Sequence, residues 1–224
     1  MKIIYHGSKD IIEKPKFGKG KPYNDYGLGF YCTENLALAK EWAVDIGRDG
    51  YANIYEIDDS SLSVLNLNDE QYTILHWLAI LLENRHFDSP SSLSHEAKEY
   101  ILNNFSVDYK SYDVIIGYRA DDSYFSFAQD FLNGTISYRQ LNNAMHLGNL
   151  GQQFVLKSKK AFDLISFIGY ENASFNEWYS RKENRDKAAR RDYFDTEKNK
   201  RLRGDIYITQ IIDEEMNSND ARLR

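Results

Sequence analysis

The sequence predicts an α+β domain. Short apolar runs of strand length, clearest at Met1–Tyr5 and Tyr112–Tyr118, alternate with stretches of helical apolar periodicity. Length supports a sizeable core, because a chain of 224 residues buries about 70% of its unfolded surface without needing disulfides or metals. The content of 42% apolar and 28% charged residues is that of a soluble globular chain.

In chain order, Met1–Tyr5 reads as a buried strand stopped by His6-Gly7-Ser8. Residues 13–29 form a loop rich in proline and glycine, longer than ordinary connectors and therefore functional or disordered. Gly29–Cys32 is a strand edge. Thr33 caps the next helix, which has Glu34 in its first turn and an apolar face of Leu36, Ala39, Ala43 and Ile46. Strands follow at Asn53–Ile57 and Ser63–Leu67. Asn68 caps an apolar helix running to about Glu83, with Leu75, Leu78 and Leu82 inward. A serine-rich turn leads to a second helix ending near Asn104. After the strand Tyr112–Tyr118 come helices Tyr124–Leu132 and Tyr138–Leu147, then a strand Gln152–Leu156 entered through Gly148 and Gly151. The pattern from Ser174 to Arg203 is polar and helical, and Ile206–Met216 is a short amphipathic helix. This divides the chain into a domain over 1–172 and a charged helical extension over 173–224.

Several function classes are disfavoured. The single cysteine, Cys32, excludes an internal disulfide framework. The start, Met1-Lys2-Ile3-Ile4-Tyr5, lacks a signal-peptide core, and no apolar run reaches membrane-span length. A cytoplasmic protein with no membrane partner is expected. A net charge of −6 argues against a surface that grips nucleic acid throughout. The charge is uneven: residues 181–203 hold ten Lys/Arg against five Asp/Glu, leaving −11 for the remainder. That stretch reads as a solvated helix or as a docking surface for an acidic partner or RNA. The five histidines show no metal-ligand spacing, and no metal is expected. Neither a phosphate loop nor a GxGxxG turn is present.

Two short pieces carry chemistry. In Tyr5-His6-Gly7-Ser8, a histidine followed by glycine suits a place where backbone approaches a flat ligand closely. In Asp25-Tyr26-Gly27-Leu28-Gly29-Phe30-Tyr31-Cys32-Thr33, glycines and an aromatic strand lead directly into a helix. Each alone reads more simply as local structure.

In this order the pair resembles the two amino-terminal signatures of the ADP-ribosyltransferase superfamily, in its diphtheria-toxin-like and poly(ADP-ribose)-polymerase-like branch. More closely, the chain is similar to uncharacterised bacterial domains often encoded beside a small antitoxin. That similarity also draws on Ala39-x-x-Trp42-Ala43, Ile116-Gly117-x-x-Ala120-Asp121-Asp122 and Gln152-Gln153-Phe154-Val155. It covers roughly residues 1–165 and, more loosely, the tail from Ile206 to Glu215. The resemblance implies split antiparallel sheets around a cleft that takes NAD⁺ as co-substrate. ADP-ribose would pass to a macromolecular acceptor, protein or nucleic acid, in the manner of a toxin with an antitoxin partner.

The resemblance also assigns roles. His6 would bond the adenosine-side ribose, Gly7 would clamp the nicotinamide carboxamide, and Tyr31 would stack on its ring. Thr33 would add a hydroxyl, and Gln153 would orient the nicotinamide-side ribose. Ser8, Asp25, Gly29 and Phe30 join the NAD⁺-binding set as parts of the two signatures. Charge alone, apart from the resemblance, makes Lys14, Lys16, Lys19 or Lys21 available for the phosphates where the 13–29 loop covers the dinucleotide, or leaves them as solvated side chains. By position alone, Arg119 pairs with a phosphate or with Asp121, and one of Asp121 and Asp122 faces the cleft while the other serves a turn or helix cap. The superfamily carries Glu where this chain has Gln153, which implies slower chemistry, an acid recruited from Asp121 or Asp122, or loss of activity. NAD⁺ hydrolysis and an inactive binding module are the alternatives.

Overall fold

A computed structural model describes residues 1–88, 91–120, 122–147 and 151–224. The fold is α+β, with two mostly antiparallel sheets set among helices. The first sheet has the order β1-β3-β7, from β1 (Lys2–Ser8), β3 (Gly50–Ile57) and β7 (Ile165–Ala173). The second has the order β2-β6-β5-β4, from β2 (Phe30–Cys32), β6 (Gln152–Leu156), β5 (Val114–Tyr118) and β4 (Val64–Asn66). Only the short β4–β5 pair is parallel.

One bridge joins the sheets. Tyr5 of β1 and Thr33, just beyond β2, exchange both backbone hydrogen bonds, at 2.8 and 2.9 Å. A small apolar cluster of Ile4, Phe30, Cys32, Tyr55, Ile57, Val114, Phe154 and Leu156 fills the space between the sheets. The larger core lies on the other face of the second sheet. There α2 (Ile74–Asn84), α3 (Ser92–Asn104), α4 (Asp122–Leu132) and α5 (Tyr138–Ala144) bury a continuous cluster that includes Trp77, Phe127 and Phe131. Tyr193, Ile208, Ile211, Met216 and Leu223 belong to the same cluster.

Several sequence expectations are corrected. β1 runs through His6-Gly7-Ser8 rather than stopping there, because Ser8 still pairs with Tyr51. Asn35, not Thr33, caps α1 (Leu36–Ala43), its side chain taking the amides of Ala37 and Leu38. Ile46 lies beyond α1 and is exposed. Thr73, not Asn68, caps α2 in a reciprocal box with His76. The terminal helix shrinks to α8 (Ile208–Asp213), and α5 ends at Ala144. A short α6 (Lys159–Asp163) and the whole of β7 had no counterpart in the expectations. Gly148 lies outside the described residues.

The basic stretch begins on α7 (Phe175–Asp192), which is pinned to α1. Arg185 meets Glu41 through two nitrogens, at 2.7 and 2.8 Å, with both side chains largely buried. Trp178 packs beside Ala43, Val44 and Ala173, with the Lys40 ammonium 5.2 Å from its ring. Among the described residues no helix is long and apolar enough to cross a membrane.

Removing one partner of a buried ion pair strands the other charge. Glu41→Ala is therefore expected to lower the unfolding free energy by about 2–4 kcal/mol in urea titrations. A loss below about 0.5 kcal/mol, the size of an exposed pair, would contradict a buried attachment of α7.

Candidate functional site

The cleft begins where β1 and β2 part. Tyr5 turns its amide and carbonyl toward Thr33, so strand alternation turns those of Gly7 to the same edge, opposite Tyr31. No further β1–β2 bridge forms among the described residues. The Tyr31 carbonyl, which a continued ladder would give to Gly7, is taken instead by His6 Nδ1 at 2.7 Å. Gly7's N–H and C=O are thus left facing the opening. A side chain there is impossible without movement, since a Cβ would lie 2.1 Å from the Ala39 carbonyl oxygen of α1.

The geometry fixes the tautomer of His6. A carbonyl only accepts, so Nδ1 carries the proton and Nε2 is left as an acceptor. Burial pushes the imidazole pKa below its ordinary 6.5, against the opposing pull of the Tyr31 carbonyl. Phe30 stacks on the ring at 4.3 Å, and buried Asn53 braces the strand by donating to the His6 carbonyl at 3.3 Å.

Around this seam lies a cavity of about 210 Å³. His6, Gly7, Tyr31 and Trp42 line one part, and Asn24, Asp25, Arg85, Arg119, Ala120 and Gln153 line the rest. Asp25 is only 4% exposed and binds three separate elements. Its Oδ2 accepts from the Ala120 amide at 2.9 Å and from Gln153 Nε2 at 3.1 Å, and its Oδ1 accepts from Arg85 Nη1 at 3.2 Å. Burial raises its carboxyl pKa, while the Ala120 bond and the Arg85 and Arg119 charges pull the other way. Because Gln153 gives its nitrogen to Asp25, its Oε1 is buried without a hydrogen-bond partner. Trp42 Nε1 is likewise buried and unbonded, with the Arg119 guanidinium 4.6 Å from the indole centroid. Native interiors rarely leave such groups without a partner, and both side chains line this cavity.

The end of the 13–29 loop is held firmly enough to position Asp25. Tyr26 is fully buried and donates to the Tyr118 carbonyl at 2.7 Å, in a space that Gly117 leaves free. Lys157 Nζ bonds the carbonyls of Tyr26 and Leu28, and Asn84 reaches the Asp25 carbonyl at 3.4 Å. Gly27 adopts φ +70°, a turn that suits glycine. Tyr31 donates its hydroxyl to the Gly27 carbonyl at 2.5 Å and receives the Tyr26 amide at 3.1 Å. Burial pushes its phenol pKa up, so it stays a donor.

Of the sequence-derived residues, His6, Gly7, Asp25, Tyr31, Arg119 and Gln153 share this cavity. Four others do not line it. Ser8 bonds the Asp10 amide, and Gly29 lies against β6, where a Cβ would meet Val155 at 2.8 Å. Phe30 supports His6 from behind. Thr33 takes the Asn35 amide and faces a neighbouring hollow. Lys14, Lys16, Lys19 and Lys21 are exposed and away from the cavity, whose cations are Arg85 and Arg119. Asp121 and the side chain of Asp122 lie outside the described residues. The sequence alone assigns no role to Arg85, Trp42 or Asn24. Only Trp42 had a signal, inside the Ala39-x-x-Trp42-Ala43 motif.

A larger hollow of about 730 Å³ lies beside α2 and α5, but its Arg139 and Arg222 are already committed to Asp205, and to Asp220 and Glu214. Among the described residues no three metal-binding side chains converge.

A family model described as "Protein of unknown function (DUF3990)" matches residues 2–167, and the chain belongs to that family. No curated protein matches the chain, and no solved structure matches it.

The His6 arrangement has a direct spectroscopic consequence. Nitrogen-15 chemical shifts are expected to show a neutral ring protonated at Nδ1, titrating below 6.5. Stability should then fall with acidification below that value, because the unfolded chain takes up the proton first. A midpoint at or above 6.5 would contradict the buried neutral ring.

Proposed function

We propose that this member of the DUF3990 family binds NAD⁺ in the His6–Tyr31 cleft and transfers ADP-ribose to a macromolecular acceptor. The observation that carries the reading is the meeting of His6, Gly7, Tyr31 and Gln153 in one cavity, from segments far apart in the chain. The residues fit the ligand group by group. His6 Nε2 is an acceptor suited to a ribose hydroxyl. Gly7 offers an amide N–H and a carbonyl side by side, complementary to the oxygen and nitrogen of a carboxamide. Tyr31 lends a ring face, worth about 1 kcal/mol beyond buried area. Gln153 Oε1 lacks a hydrogen-bond partner and is closed to solvent, and a turn of its side chain toward the cavity would let it accept a second ribose hydroxyl.

The chemistry asks little of the protein beyond charge and position. Nicotinamide departs with the electron pair of the glycosidic bond and leaves as a neutral molecule, so no general acid is needed. Positive charge then grows on the ribose, as in glycoside cleavage. Asp25 supplies the negative charge that Gln153 lacks, from 3.1 Å behind the amide and out of bulk water. A fixed charge in such a setting is worth far more than in solvent. Gln153 relays it by holding the ribose while donating to the carboxylate. The acceptor's nucleophile bonds to the same ribose carbon and releases its proton to solvent.

Gln153 itself favours a second reading, a cleft that binds NAD⁺ or a partner without turnover. Nicotinamide release by purified protein separates the two. Wild type is expected to turn over, with His6→Ala and Tyr31→Ala near background and Asp25→Asn down about 10²-fold in kcat. No release above background, with wild type equal to these variants, would leave the binding module. Gln153→Glu sets a second carboxylate against Asp25, so one of the two must take up a proton. That variant is expected to lose turnover at neutral pH. A large gain would show that Asp25 does not serve as the site's charge.

A further inference from the structure

The cleft is too small for a dinucleotide. At about 210 Å³ it falls below the roughly 300–1,000 Å³ of ordinary ligand sites, so most of NAD⁺ must lie beyond it. Arg85, Arg119 and Ala120 line both this cavity and a second hollow of about 460 Å³. The two spaces therefore adjoin at a pair of guanidinium groups. α7 forms the far wall of the second, with Lys182, Arg185 and Arg190 among its lining residues. Five cations stand there against the three carboxylates of Asp45, Glu183 and Asp186, in a chain whose net charge is −6.

The cations differ in how far they are committed. Arg185 is tied to Glu41, and Arg190 bonds Asp186 one turn away. Arg85 gives Asp25 a single nitrogen, leaving further donors of its fork. Lys182 carries no ion pair among the described residues and is only partly exposed. The Arg185–Glu41 pair and Trp178 fasten α7 to α1 beside this hollow.

We propose that this hollow is a phosphate site, in which Lys182, Arg85 and Arg119 hold the diphosphate of the dinucleotide whose nicotinamide end occupies the cleft. The proposal rests on the NAD⁺ reading of the cleft. It makes α7, which lies outside the family-matched residues 2–167, a working wall of the binding site.

Calorimetric titration of the full chain with NAD⁺, inorganic pyrophosphate and nicotinamide tests it. Lys182→Ala should weaken NAD⁺ and pyrophosphate about tenfold, the loss of one charge-assisted contact partly screened by water. Lys182→Glu should weaken both further, Lys182→Arg should restore them, and nicotinamide should bind all four proteins alike. Equal affinity of wild type and Lys182→Ala for NAD⁺ and pyrophosphate would overturn the phosphate site and leave the cleft reading standing. Lys182-dependent pyrophosphate binding without any binding of NAD⁺ or nicotinamide would overturn the dinucleotide as its source.

Discussion

The two hydrogen bonds between Tyr5 and Thr33 are the constraint on which the cleft depends. They hold the sheets together at one point and set the alternation of both strands beyond it. Where β1 and β2 then separate, the imidazole of His6 takes the Tyr31 carbonyl that Gly7 would otherwise have bonded. One substitution of partners thus fixes the tautomer of the histidine and frees the backbone of the glycine. Neither feature requires a special residue elsewhere, apart from the missing side chain that lets α1 press against Gly7.

Asp25 is the second knot. It draws the 13–29 loop, the end of β5, β6 and the end of α2 to a single carboxylate. Burying a carboxylate is costly unless its oxygens are fully bonded, and here an amide N–H, an arginine and a glutamine share the task. The glutamine is left with an unbonded oxygen as a result.

The sequence made the pattern of the seam legible, since His6-Gly7 and Tyr31 could be paired before any geometry was known. Strands with uninterrupted apolar residues, such as β5, were also legible, as was β6 with Gln153 near its start. β7 was not. Its alternation is half exposed, and Gly169, Glu171 and Asn172 give it the look of a loop. Cap positions slipped because Thr33, Asn35, Asn68 and Thr73 are all competent caps, and packing decides among them. Arg85 was invisible for a different reason: it closes α2, and only the tertiary fold carries it across sixty positions to Asp25.

The most direct test of the central claim is a crystal structure of the protein with NAD⁺ or a non-cleavable analogue. The carboxamide is expected on the Gly7 backbone, the nicotinamide ring over Tyr31 and a ribose hydroxyl on Gln153 Oε1. A dinucleotide seated elsewhere at saturating concentration, with the His6–Tyr31 cleft filled only by water, would contradict it.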